Sequence, residues 1–197
     1  MKTSEDWLLI KRKIVSIKNE SDKLTISPRL ITMLIIAEDH RFEKHCGVDL
    51  VSILRATWRT IFCRRTEGAS TIAMQLVRVL TGRYERTLKR KIQEMYLATK
   101  LTKHINKSDL PKLYLFVAYF GWRMNGITQL SNRLKIDLLK ITDMEAAGII
   151  ARLKYPEPQK YDHIRIKKIQ NRAKYILLQS VLYTTANSSK GDTNGTF

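Results

Sequence analysis

Acidic residues are scarce in this chain: 18 Asp and Glu face 36 Lys and Arg, leaving a formal charge of +18 and a pI near 10.1. That imbalance points to polyanionic partners: nucleic acid, a phospholipid surface or a pyrophosphate-bearing substrate. Cysteine is scarcer still. Cys46 and Cys63 make no disulfide framework and lack the paired spacing of a zinc site, and His40 and His45 fall at irregular intervals from them. No apolar run approaches the roughly 20 residues a membrane-spanning helix needs, and Trp7-Leu8-Leu9-Ile10 is too short for an export signal. Repeats, long low-complexity tracts and persuasive strands are also missing. Aromatic residues are not interleaved with the basic ones as single-strand stacking platforms require, which sets nucleic acid aside as a partner despite the charge.

What is present suits one folded, mainly α domain: 197 residues, 44% of them hydrophobic. Ser27-Pro28 supplies an N-cap and a first-turn proline to an apolar stretch from Leu30 to Ala37, a helix expected to be buried all round. It runs straight into Glu38-Asp39. A carboxylate at a helix C-terminus meets the negative pole of the peptide dipoles, which disfavours its anion by about 0.3–1 kcal/mol and raises its proton affinity, as a general base requires. The plainer reading, a solvated helix end, is the better one for the pair taken alone.

Beyond Gly47, the residues Leu50, Ile53, Leu54, Thr57, Trp58 and Ile61 recur at helical spacing with Arg55, Arg59, Arg64 and Arg65 between them. Such a segment packs on a core by default, or lies on an anionic bilayer. Gly68-Ala69-Ser70-Thr71 offers a turn and a hydroxyl cap to a helix over 72–80, ended by Thr81-Gly82. Further helices are expected over 84–104, 110–120 after a Ser108 cap, 127–134, 143–152 and 164–182, with Pro156 and Pro158 breaking the chain between the last two. Residues 1–26 read as a variable lead with a short strand or helix, 27–184 as the domain, and 185–197 as a disordered polar tail.

A second acid stands in a basic lane. From Arg78 through Lys107 there are nine Lys or Arg and two acids, Glu85 and Glu94. Arg90 and Lys91 precede Glu94 by four and three residues, so they flank it on one helix face, while Thr71, Gln75 and Arg78 share a face of the preceding helix. Glu94 is then either a neutralising ion pair or the acid of a phosphate-binding strip that positions a metal, a water or the cations themselves.

In this order, Glu38-Asp39-x-x-Phe42-x-x-His45-x-Gly47-x-Asp49, Arg55-Ala56, Gly68-Ala69-Ser70-Thr71 with Gln75-Leu76, Glu85-Arg86-Thr87-Leu88, Arg90-Lys91-x-x-Glu94, Tyr114-Leu115 with Tyr119-Phe120-Gly121, and Glu145-Ala146-Ala147 resemble the motifs of peptidoglycan glycosyltransferases. These are the glycosyltransferase domains of class A penicillin-binding proteins and the monofunctional biosynthetic transglycosylases. The resemblance spans about residues 28–182. It implies a lysozyme-like, mostly helical fold of a head and a membrane-dipping jaw. The implied jaw, about residues 48–67, replaces core packing as the expectation for the amphipathic segment.

The implied activity is inverting β-1,4 polymerisation of lipid II with release of undecaprenyl pyrophosphate. By resemblance Glu38 is the general base, Asp39 its support and Glu94 the second acid; Arg78, Arg86 and Lys91 bind phosphates; Ser70, Thr71, Gln75 and Arg90 line the groove. Mg²⁺ or Mn²⁺ assists some members of the family. The implied partners are lipid II, the growing lipid-linked glycan chain, an anionic membrane surface and cell-wall synthesis proteins. Peripheral attachment to the bacterial cytoplasmic membrane is expected.

The chain departs from the family pattern at Ala73, Met74, Val79 and Phe116, and at Arg133-Leu134-Lys135-Ile136. The first three suggest a groove poorer in polar contacts. They leave open a divergent member with an altered substrate or without catalysis.

Overall fold

The computed structural model describes the backbone of residues 2–63 and 68–191 and the side chains of 3–63 and 68–185. The helices are α1 (Lys2–Ser21), α2 (Pro28–Glu38), α3 (Leu50–Cys63), α4 (Ile72–Thr81), α5 (Leu88–His104), α6 (Leu110–Val117), α7 (Gly126–Leu134), α8 (Asp143–Lys154) and α9 (His163–Gly191), with short 3-10 turns at Phe42–Lys44 and Lys107–Asp109. The fold is mainly α. The chain divides into two compact units, one of residues 1–24 and 38–118, the other of 25–37 and 119–197.

Helix α4 is the centre of the first unit because its sequence is apolar on most sides. Ile72, Ala73, Met74, Leu76, Val77 and Leu80 are all buried, against α5, α6 and α1. Leu97, Ala98 and Leu101 of α5, Leu110, Leu113 and Leu115 of α6, and Ile10 and Ile14 of α1 complete this core. Threonines start the helices that matter most. Thr71 accepts the amide of Met74 (3.2 Å) and Thr87 that of Arg90 (3.2 Å), each satisfying a first-turn donor that the helix itself cannot. Gly82, at φ +65°, closes α4 in the left-handed conformation and returns its N–H to the carbonyl of Val79.

In the second unit α8 packs along α9 through Ala146, Ala147, Ile149, Ile150, Ile169, Ala173 and Ile176. A capping box of Thr142 and Glu145 starts α8. Leu30, Met33 and Leu34 of α2 are buried, and α2 ends on Glu38, where the first unit resumes.

Several expectations change. The lead is a 20-residue helix rather than a short element. Helix α2 is not buried all round: Ile31, Ile35, Ile36 and Ala37 are only half-buried and Thr32 is exposed. The helix expected from Tyr84 begins at Leu88, because Thr87 caps it and residues 83–87 run without regular structure. The helix expected to reach Phe120 stops at Val117. Tyr119–Gly121 instead pairs with Met124–Asn125 as an antiparallel β1–β2 hairpin that apolar spacing alone did not announce. Asp109, not Ser108, occupies the N-cap of α6, with Pro111 in its first turn. Helix α9 continues to Gly191, through the start of the expected tail; 192–197 lie outside the described residues, as do 64–67 of the expected jaw.

Helix α3 is not packed into a core. Only Ser52 and Ala56 are buried, whereas Leu50, Val51, Leu54, Trp58, Ile61 and Phe62 are exposed, with Trp58 and Phe62 rings 4.1 Å apart. No helix among the described residues is long and apolar enough to cross a membrane.

Candidate active site

Two acidic centres form around α4. At the first, Glu38 is half-buried at the end of α2, and the side-chain amide of Gln75 donates to its Oε2 (3.1 Å). The phenol of Tyr114 on α6 donates to the Gln75 carbonyl oxygen (2.5 Å), which fixes the amide with its N–H₂ toward Glu38. Burial, then the nearby Glu38 charge, pushes the Tyr114 hydroxyl well above its usual pKa, so it stays a donor.

Asp39 is buried and faces away into structure. Its Oδ2 accepts the first amide of α4, from Ile72 (3.0 Å), a position that favours an anion, and its Oδ1 meets His45 Nε2 (2.8 Å). The ring of Phe42 stands edge-on to His45. Gly47, at φ +92°, lies so close to α5 that a Cβ there would sit 2.5 Å from Thr102 Oγ1 and 2.7 Å from the Ala98 carbonyl oxygen. Thr71, buried, donates its hydroxyl to the Gly47 carbonyl (2.6 Å) while it caps α4.

Asp49 caps α3, accepting from the amides of Val51 and Ser52 (both 3.1 Å), the Ser52 hydroxyl (2.6 Å) and Arg41 Nε (2.9 Å). Burial alone would raise its carboxyl, but Ser52 and Arg41 outweigh burial and hold it below the ordinary value. The Glu38–Asp49 motif is thus mainly a clamp that docks one loop onto the starts of α3 and α4 and delivers Glu38. Beside Glu38 lies a recess of about 30 Å³ lined partly by Ser52, Arg55, Ser70 and Thr71.

The second centre is Glu94, only 3% exposed on α5. Arg78 grips it with a two-pronged fork, Nε to Oε2 (3.0 Å) and Nη2 to Oε1 (2.9 Å); Arg90 Nη1 also donates to Oε2, and Lys91 Nζ to Oε1 (3.3 Å). Lys91 reaches Ser70 Oγ as well (2.7 Å). Burial by itself would raise the Glu94 carboxyl, but the Arg78 fork and the charges of Lys91 and Arg90 prevail and keep it below the usual range, hence ionised. Burial lowers the Lys91 ammonium, aided by Arg78 and Arg90 and opposed by Glu94.

Of the ten residues singled out from sequence, Ser70, Arg78, Arg90, Lys91 and Glu94 form one connected cluster, and Glu38 and Gln75 form the other. Gln75 and Arg78 stand three apart on α4, one turn, so a single helix carries both centres. Arg86 is exposed in the 83–87 loop and makes no hydrogen bond or ion pair with another described residue. Asp39 and Thr71 are buried in the clamp.

The family model described as Transglycosylase matches residues 11–181. The chain belongs to the transglycosylase family. Penicillin-binding protein 1A of Rickettsia typhi is 30% identical over 181 residues, 89% of this chain and 22% of that protein. Penicillin-binding protein 1A of Escherichia coli is 41% identical over 103 residues, 52% of this chain and 12% of that protein. The monofunctional glycosyltransferase of Staphylococcus epidermidis is 36% identical over 109 residues, 54% and 40% respectively. The matches cover 12%, 22% and 40% of the lengths of the Escherichia coli, Rickettsia and Staphylococcus proteins.

Within this transglycosylase domain, Ala73 and Met74 are buried in the α4 packing, 2% and 0% exposed. Their loss of polarity belongs to the core and not to the two acidic centres. Tyr114 lies outside the ten; a hydroxyl on a mostly apolar helix, which needs a partner when buried, is the signal that points to it. Both oxygens of Glu94 are already held by Arg78, Arg90 and Lys91, and no group of three His, Cys, Asp or Glu suited to a metal occurs among the described residues. With both oxygens taken, Glu94 offers no free carboxylate oxygen to a protein-held Mg²⁺ or Mn²⁺.

Proposed function

We propose that this chain is an inverting peptidoglycan glycosyltransferase that elongates a β-1,4 glycan from lipid II. The observation that carries this reading is the pairing of centres on adjacent turns of α4: a carboxylate held by a neutral amide at Gln75, and a cation cluster organised by an ionised, buried Glu94. A single displacement needs both parts. Glu38 takes the proton of the acceptor sugar's 4-hydroxyl as that oxygen bonds to C1 of the donor, and the C1–O bond to phosphate breaks with its electron pair leaving on undecaprenyl pyrophosphate. Lys91, Arg78, Arg90 and the exposed Arg86 stabilise the charge on the departing oxygens.

Glu94 acts by positioning those cations. Held ionised, it has no proton to give. Asp39 supports Glu38 indirectly by fixing the loop that follows it, and Ser70, Thr71 and Gln75 shape the groove. The exposed apolar face of α3, with Trp58 and Phe62 among Arg55 and Arg59, suits docking on an anionic membrane surface from one side. On this reading α3 docks on the bacterial cytoplasmic membrane.

The test is incubation of the full chain with labelled lipid II in detergent and separation of the products by length. Polymer from the wild type and none from Glu38→Gln is expected, with release of undecaprenyl pyrophosphate. Unchanged polymerisation by Glu38→Gln would sink the assignment of the base. Lipid II binding without product in the wild type would favour a non-catalytic member of the family.

A further inference from the structure

Asp6 of α1 lies ahead of the residues that match the family and is 7% exposed. A buried carboxylate is costly unless paired, and this one has two partners. Arg83 Nη2 forms an ion pair with its Oδ1 (3.0 Å) and the side-chain amide of Gln93 donates to its Oδ2 (2.5 Å), while Arg83 Nη1 donates to the Gln93 carbonyl oxygen (3.2 Å). The three side chains close a triangle. They border the same small cavity as Arg90 and Glu94, so the triangle and the cation cluster share a wall.

Arg83 opens the irregular 83–87 loop that carries Arg86, and Gln93 immediately precedes Glu94. At the far end of that loop Thr87 caps α5, and Arg90 Nε donates to the Glu85 carbonyl. The loop is therefore tethered at both ends, and Asp6 holds one of the tethers from a different helix.

We propose that Asp6 is a positioning residue for pyrophosphate recognition: by fixing Arg83 it sets where Arg86 stands relative to the Glu94 cluster. This rests on the donor-pyrophosphate reading above. The N-terminal helix is then part of the donor site's framework, acting through a loop and touching no substrate. An alternative in which Asp6 only staples α1 to the core would affect stability alone.

Calorimetric titration of the full chain with farnesyl pyrophosphate distinguishes the two, with helix content and thermal midpoint followed in parallel. Asp6→Asn is expected to bind about fivefold more weakly, and Asp6→Glu to recover part of that loss. In an Arg86→Ala background the Asp6→Asn change should add less than about twofold, since its route to the ligand is gone. Equal binding by wild type and Asp6→Asn, or the full loss persisting without Arg86, would overturn the positioning role and leave the donor reading intact. Absence of binding by the wild type would overturn both. Should Asp6→Asn fail to fold, Arg83→Met is read by the same criteria.

Discussion

Glu38 and Glu94 are the same residue type held in different ways. Glu38 sits half-buried at a helix end, held by an amide that Tyr114 orients; Glu94 sits buried inside a helix under Arg78, Arg90 and Lys91. The Gln75 amide brings no charge of its own to Glu38, whereas three cations fix Glu94 as an anion. The difference teaches that an acid's role in such a domain is set by what its neighbours allow, and that burial alone does not make an acid a proton donor.

The comparison is broken most severely at Glu38. Glu38→Gln should lower polymerisation by about 10²–10⁴-fold, the usual worth of a positioned base, with the thermal midpoint almost unchanged. A comparable fall in thermal midpoint would mean that Glu38 is chiefly structural. Glu94→Ala should act the other way, mainly on the fold: removing one partner of a buried cluster strands Arg78, Arg90 and Lys91 and costs about 3–5 kcal/mol in denaturant unfolding. A loss under 1 kcal/mol would refute the hub.

The pH dependence follows from the same contrast. The folded pKa values of Glu94 and Asp49 both lie below their ordinary 4.5 and 3.8. Each contributes stability that is fully present above those values and is lost as the pH falls through the lowered folded values. Glu94→Gln should therefore flatten the acid limb of a stability-versus-pH curve measured between pH 7 and pH 2, and an unaltered limb would count against an ionised Glu94. The smallest effect is expected at Tyr114→Phe, which removes one neutral hydrogen bond to Gln75 and should cost about fivefold in turnover, with membrane binding unaffected.

Much of this was legible in the chain. Helical periodicity located α4, α7, α8 and most of α9, a hydroxyl cap marked the start of α4, and the ordered motifs pointed to Glu38 and Glu94. Arg90 and Lys91 fell on the Glu94 face because helical spacing of three and four residues leaves little choice. What was not legible depended on distant partners. Asp39 read as a second acid beside the base, but tertiary folding turns it toward Ile72 and His45. Asp6 looked like one residue of a variable lead, and its partners lie 77 and 87 positions away at Arg83 and Gln93. The hairpin at Tyr119 leaves no sequence signal, because strands of three and two residues carry too little alternation.

The sequence by itself determined the family, the mainly α class and the net charge of +18, since ordered motifs, helix periods and composition are local properties. The tertiary structure decided which side chains meet. It made Glu94 a clamped anion, turned Asp39 and Thr71 into a structural clamp, and exposed the apolar face of α3. Those outcomes depend on burial and on contacts between helices far apart in the chain, which no local pattern encodes.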